Sequence, residues 1–212
     1  MVAEKTLREK LTDVIETFPA ESVTLAAILD RLGREGYLLL TVLLTLPFMA
    51  PVSIPGVSTI FGAVILLIGL NVMIDRELRL PDRFMKRAFP AVKLRTALRK
   101  GVVWLHRLER ISRPRLSWLS QGSAMARLNG LMLVIGALLL MVPFGPIPLT
   151  NTLPGLAILF LSVGILQRDG GCILLGYLTN LVTVVYFTQL LTAGSFAVRE
   201  GIERFFPFLS GL

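Results

Sequence analysis

Long apolar stretches alternate along the chain with proline-rich interruptions and one strongly basic stretch. Tyr37 to Leu46 is apolar apart from Thr41 and Thr45 and ends at Pro47. As helix that arm is roughly 15 Å long, short of the ~20 residues a bilayer core requires. Pro47, Pro51 and Pro55 follow at steps of four. Each lacks an N–H and disfavours helix in the residue before it, so the pattern predicts a break inside apolar sequence. Gly56 to Ile74 then resumes for roughly 28 Å. A second block follows the same order. Leu128 to Val142, apolar apart from Asn129, predicts roughly 22 Å of helix. VPFGPIPLTNTLPG, Val142 to Gly155, interrupts it. Pro154 to Gln167 gives a further arm of roughly 21 Å, and Cys172 to Thr192 a full span of roughly 31 Å. The polar residues of that last span, Thr179, Asn180, Thr183, Thr188 and Gln189, suit hydrogen bonding between helices. Asn129 and Asn180 read as interhelical glue rather than ligands.

The remaining pattern is amphipathic. Residues 4–33 read as helix in two pieces broken near Phe18-Pro19-Ala20, with Ser22 or Thr24 as N-cap and Gly33 as a stop. Residues 76–126 form a basic amphipathic segment too polar to span, interrupted at Phe89-Pro90 and Gly101, with Trp104 and Trp118 suited to the membrane interface. Residues 195–212 predict a short amphipathic tail helix.

The blocks therefore align as two repeats, 4–76 and 128–169, each with a short arm, a proline break, Pro-Gly, a second arm and a closing charged pair. Asp75-Arg76 and Arg168-Asp169 are those pairs; both suit interfacial anchoring as well as binding. Interrupted hydrophobic segments at corresponding places in two repeats point to a transporter-like site, because non-helical backbone at membrane depth must be buried in protein or face water. With Pro55 and Pro154 near the first positions of the second arms, two helix N-termini would point free N–H groups at the breaks and favour an anionic group. The candidate substrate-binding residues are Pro47, Pro51, Ser53, Pro55, Gly56, Ser58, Pro143, Pro146, Pro148, Asn151, Thr152, Pro154, Gly155, Arg168 and Asp169. The alternative, two ordinary helical hairpins with proline turns, stays open.

Composition agrees with the pattern. The chain is 54% hydrophobic and 17% charged with mean hydropathy +0.72, values of a multi-span inner-membrane protein rather than a soluble domain. The net charge of +8 is local: Arg76 to Arg115 holds 13 of the 22 Lys and Arg residues. Such a segment beside spans is expected to be cytoplasmic and to lie on anionic headgroups, with nucleic acid not the expected partner. The N-terminus lacks the apolar core of a cleaved signal peptide. Cys172 as sole cysteine excludes an internal disulfide framework and a cysteine-based metal cluster. His106 has no metal-binding partner at helical spacing. No nucleotide loop, zinc-protease motif or nucleophile elbow is present, and no cofactor, metal or catalytic residue is expected.

Five stretches carry a family resemblance: TLAAILDRLGREGYLLL, PxxxPGVSTIFGAVIL from Pro51, LERISRPRLSWL from Leu108, PLTNTLPGLAIL from Pro148 and GILQRDG from Gly164. Over Leu11 to Leu191 the chain resembles the ExoD family of bacterial membrane proteins, named for exopolysaccharide synthesis. It departs from that pattern at Asn71 to Arg76, NVMIDR, where a glutamine and a Gly-Arg pair are expected. The resemblance implies an integral inner-membrane protein linked to cell-surface polysaccharide and transfers no catalytic residues. In layout the chain also resembles the DedA-type lipid transporters, a likeness of fold alone. The expected fold is all-α: two repeated proline-broken hairpins, re-entrant or spanning, one further full span, and amphipathic interfacial helices. The expected function is non-enzymatic, transporter- or flippase-like handling of an anionic lipid or lipid-linked saccharide. The alternative is a structural or regulatory partner of polysaccharide synthesis proteins.

Overall fold

The computed structural model describes residues 22–49, 56–74, 88–90, 116–143 and 147–205, with side chains described over 33–49, 56–74, 116, 118–143 and 147–194. Among these residues five α-helices carry the fold: α1 (Leu25–Thr45), α2 (Val57–Ile74), α3 (Ser123–Met141), α4 (Thr152–Gln167) and α5 (Gly170–Phe205). Short 3-10 turns follow α1 at Leu46–Met49 and precede α3 at Ser117–Ser120. The helical expectation holds with one exception. β1 (Ser22–Thr24) pairs antiparallel with β2 (Ala88–Pro90), Val23 opposite Phe89. Ser22 to Thr24 is therefore extended rather than helical, and helix begins at Leu25 with Thr24 in the cap position. The predicted helix before Ser22 and most of the basic segment lie outside the described residues, as do residues 50–55 and 144–146.

Gly33 stops the first helical piece as expected. Its φ of 55° and ψ of −139° kink α1, in a region of backbone space that only glycine enters freely. Beyond the kink, Arg34 to Thr45 makes roughly 18 Å of helix. Among the described residues three helices are long and apolar enough to cross a membrane: Val57–Ile74, Ser123–Met141 and Gly170–Gly194. The chain is thus read as a multi-pass membrane protein. α3 corrects the sequence reading, because helix starts at Ser123 rather than Leu128 and the arm reaches roughly 28 Å. Ser123 and Arg127, which frame the apolar residues between them, hid that extra turn. The tail is corrected as well: helix continues from the last span to Phe205 without a break. Outward on α5 stand Leu174, Leu178, Leu181 and Val185, all exposed, as befits a face toward lipid.

The helices alternate in direction, and close contacts fix which ends meet. Phe48 and Met49 sit against Gly155, and Met141 sits against Gly62. At the other end Met73 lies on Gly130 and Ile173 on Gly164. Both proline breaks therefore lie at one end of the bundle. Packing closes into a ring in which α1 meets α2, α2 meets α3, α3 meets α4 and α4 meets α1, with α5 laid mainly along α4. Leu38, Phe48, Ile65, Leu133, Ile158, Leu161 and Ile173 belong to one buried cluster inside it.

In lipid there is no hydrophobic drive between helices, since the acyl chains are as apolar as leucine, so association rests on close packing and interhelical hydrogen bonds. Gly130 shows the requirement: a Cβ there would fall on the Met73 backbone, which cannot swing aside. Gly130→Ala is expected to cost about 1–3 kcal/mol through overpacking, read as a lowered thermal midpoint of the detergent-solubilised protein.

Candidate functional site

The break end is built from the 3-10 turn Leu46–Met49, the start of α2, the end of α3, the start of α4 and the middle of α5. Phe48 is buried there and meets Phe61 edge-on, with ring centroids 6.0 Å apart at 83°. Gly155 is the close-approach point: a Cβ would come within 3.2 Å of Phe48 Cβ and 3.1 Å of the Met49 terminal methyl. Thr150, buried at the tip, donates to the Ile147 carbonyl at 2.8 Å. Tyr186 on α5 donates its hydroxyl to the Pro148 carbonyl at 2.9 Å and ties the tip to the long helix. Leu149 beside it has φ 67°, an uncommon conformation for a side chain that size.

The candidate residues from sequence fall into three groups. Pro47, Gly56, Ser58, Pro143, Pro148, Asn151, Thr152, Pro154 and Gly155 all lie at the break end; Ser58, Pro154 and Gly155 are buried there, and Pro47, Gly56, Pro143 and Pro148 are exposed. Pro51, Ser53, Pro55 and Pro146 lie outside the described residues. Arg168 and Asp169 stand at the opposite end of α4, roughly 24 Å away along its axis. Both shape the join between α4 and α5. Arg168, with φ 54°, ends α4, its N–H on the Ile165 carbonyl and that of Asp169 on the Gly164 carbonyl, the paired bonds of a Schellman motif. Asp169 then caps α5: its Oδ1 accepts the Gly171 N–H at 2.9 Å, and the Cys172 thiol points to Oδ2 at 3.4 Å. A carboxylate at a helix N-terminus is favourable in itself.

Pro154 is corrected too. Helix begins at Thr152, so Pro154 occupies the third helical position, still within the turn where its missing N–H costs nothing. The preceding turn also takes up the donors: Leu153 N–H bonds the Leu149 carbonyl and Gly155 N–H the Asn151 carbonyl, each at 3.0 Å. α4 thus offers far less to an anion than a bare helix terminus. In α2 the first such bond among the described residues joins Ile60 to Gly56; the residues that precede Gly56 lie outside the described ones.

Between the two ends runs a polar lock that bears out the glue reading. Asn129 donates to the Leu119 carbonyl at 2.8 Å and accepts the Tyr177 hydroxyl at 2.7 Å. Asn180 donates to the Met132 carbonyl at 2.9 Å. These bonds join α3 to α5. Tyr177 and Tyr186 were not singled out in the sequence, because an aromatic in an apolar span carries no signal until its hydroxyl finds a partner.

The family described as "Exopolysaccharide synthesis, ExoD" matches residues 7–189. The chain belongs to the ExoD family. Protein ExoD of Rhizobium meliloti is similar over its length, 47% identical over 204 residues, covering 96% of this chain and 85% of that protein. An uncharacterized protein of Synechocystis sp. is 33% identical over 181 residues, covering 81% of this chain and 84% of that one. No solved structure matches the chain significantly. This ExoD-family chain is thereby linked to exopolysaccharide synthesis.

Tyr177→Phe leaves the Asn129 carbonyl oxygen without its donor inside the bundle. The expected loss is about 1 kcal/mol, in the range of interhelical hydrogen bonds in membranes, measured as a lower midpoint in denaturant titration; an unchanged midpoint would remove the bond from the lock.

Proposed function

We propose that this ExoD-family chain is a non-enzymatic inner-membrane protein that handles an amphiphile, such as a lipid or lipid-linked saccharide, in exopolysaccharide synthesis, in the manner of a transporter or flippase. One observation carries the reading: the two proline breaks meet, with Phe48 and Met49 against Gly155. Backbone that departs from helix at membrane depth needs protein or water around it, and paired breaks of this kind are where transporters place their substrates. The contact ring supports the repeat as well. Exchanging α1 with α3 and α2 with α4 maps each packed pair onto another packed pair. Both breaks share one end, and a parallel pair of repeats accounts for that arrangement. α4, whose first donors are taken by the turn before it, contributes little to any preference for an anionic headgroup.

Charge sets the orientation in this reading. Arg34, Glu35, Arg127, Arg168 and Asp169 are the charged residues among the described side chains, and all stand at the end away from the breaks. The basic connector joins α2 to α3 at that same end. Positive residues stay cytoplasmic, so the breaks face the outer leaflet.

The test is a lipid-translocation assay in proteoliposomes, comparing headgroups. Wild-type protein is expected to speed translocation of at least one amphiphile, and Gly155→Leu to reduce that rate tenfold or more with helix content retained. Full activity in Gly155→Leu, or none in wild type, defeats the reading. In the second case the 13 Lys and Arg between Arg76 and Arg115 favour a docking role in a synthesis complex, which charge reversal at Lys93, Arg95, Arg99 and Lys100 should abolish in a pull-down.

A further inference from the structure

The α1–α4 seam differs in kind from the α3–α5 lock. α1 and α4 run antiparallel, and the contact of Phe48 with Gly155 sets their register. Thr41 lies seven residues before Phe48, and Ser162 seven residues after Gly155. Seven residues are about two turns, which returns each to nearly the same face and to the same level. Both are fully buried, at 0% exposure. Thr45, also fully buried, falls level with Ile158 by the same count. The seam therefore carries three hydroxyls, and none of them bonds across it. Thr41 donates back to the Tyr37 carbonyl at 3.0 Å, and Thr45 to the carbonyls of Thr41 and Val42 at 3.1 and 2.8 Å. The Ser162 hydroxyl has no partner at all. A buried polar group left unpaired is costly, more so where no water is at hand.

No charged residue lies in α1 after Glu35 or in α4 before Arg168. The groups available to a ligand are thus neutral, each able to donate and to accept. The segment of α1 that bears the threonines is bounded by the Gly33 kink at one end and by the proline break at the other. We propose that this seam is a binding site for the uncharged, hydroxyl-bearing part of an amphiphile, such as the saccharide of a glycolipid, admitted as α1 swings about Gly33 and held by Ser162, Thr41 and Thr45. As a deepening of the transporter reading above, it rests on that reading for its role but not for its test.

The experiment introduces Ser162→Cys into a Cys172→Ser background, reconstitutes the protein, and measures labelling by a small polar thiosulfonate. Ala137→Cys, at an equally buried position on α3, is the control, and Thr41→Cys is the second seam variant should the first fold poorly. The seam thiols are expected to react at least tenfold faster than the control. Adding a neutral diglycosyl lipid to phosphatidylcholine vesicles is expected to slow them several-fold. Rates equal to that of the control, or rates indifferent to the glycolipid, overturn the site. Labelling requires no transport, so the two readings can fail separately. Protein that is protected by glycolipid but moves no lipid keeps the seam site and loses the transporter reading, whereas protein that moves lipid with inert seam thiols does the reverse.

Discussion

A helix that stops beside a packed apolar bundle must find acceptors and donors for its own backbone, and that requirement shapes the proline end of this molecule. The second break is answered from within. The turn Leu149 to Asn151 supplies carbonyls to Leu153 and Gly155, and the Pro148 carbonyl, which a proline-rich turn would strand, receives the Tyr186 hydroxyl. Phe48 folds inward over Gly155 and shields the junction. Proline is tolerable at these places because its missing N–H falls where no helical acceptor exists. The turn from Pro148 to Asn151 is thus compact and held by α5, and the bundle beneath it can remain apolar.

Around that end the ring of helices is unequal. On one side the buried amides of Asn129 and Asn180 bond to neighbouring backbone, and Tyr177 closes the link between α3 and α5. Gly130 lets α2 and α3 touch at backbone distance. On the other side α1 and α4 press hydroxyls together that look to their own helices or to nothing. Threonine back-bonding of this sort tends to bend a helix rather than to bind it to a neighbour. The contrast is between a frame tied by side-chain bonds between helices and a seam whose three buried hydroxyls do not cross it.

Much of this was legible in residue pattern. The prolines located both breaks, Gly33 located the kink, and the asparagines in apolar runs announced interhelical bonds, since an amide at membrane depth must find a partner. What escaped depended on distance in the chain. The pairing of Ser22–Thr24 with Ala88–Pro90 joins segments more than sixty residues apart and leaves no local periodicity. Ser123 to Arg127 falls outside the unbroken apolar run because Ser123 and Arg127 frame it, yet helix extends through it, with Met125 packed on the core cluster that includes Leu119. Arg168 and Asp169 stood out in the sequence because charge is rare in apolar stretches, and in the fold they also end one helix and begin the next. Ser162 carried no signal at all, because a serine in a span ordinarily bonds its own preceding turn.

The alternating run of helices has a parity. An odd number of traverses, α1 through α5, means that the chain enters the bundle at the charged end and leaves it at the proline end. α5 does not stop there: helix persists to Phe205, some nineteen residues past the level of Tyr186, or roughly 28 Å. The α2–α3 connection and the far end of α5 therefore leave the bundle at opposite ends. Arg34, Arg127 and Arg168 mark one end and the prolines the other, so partners met at one need share nothing with those met at the other.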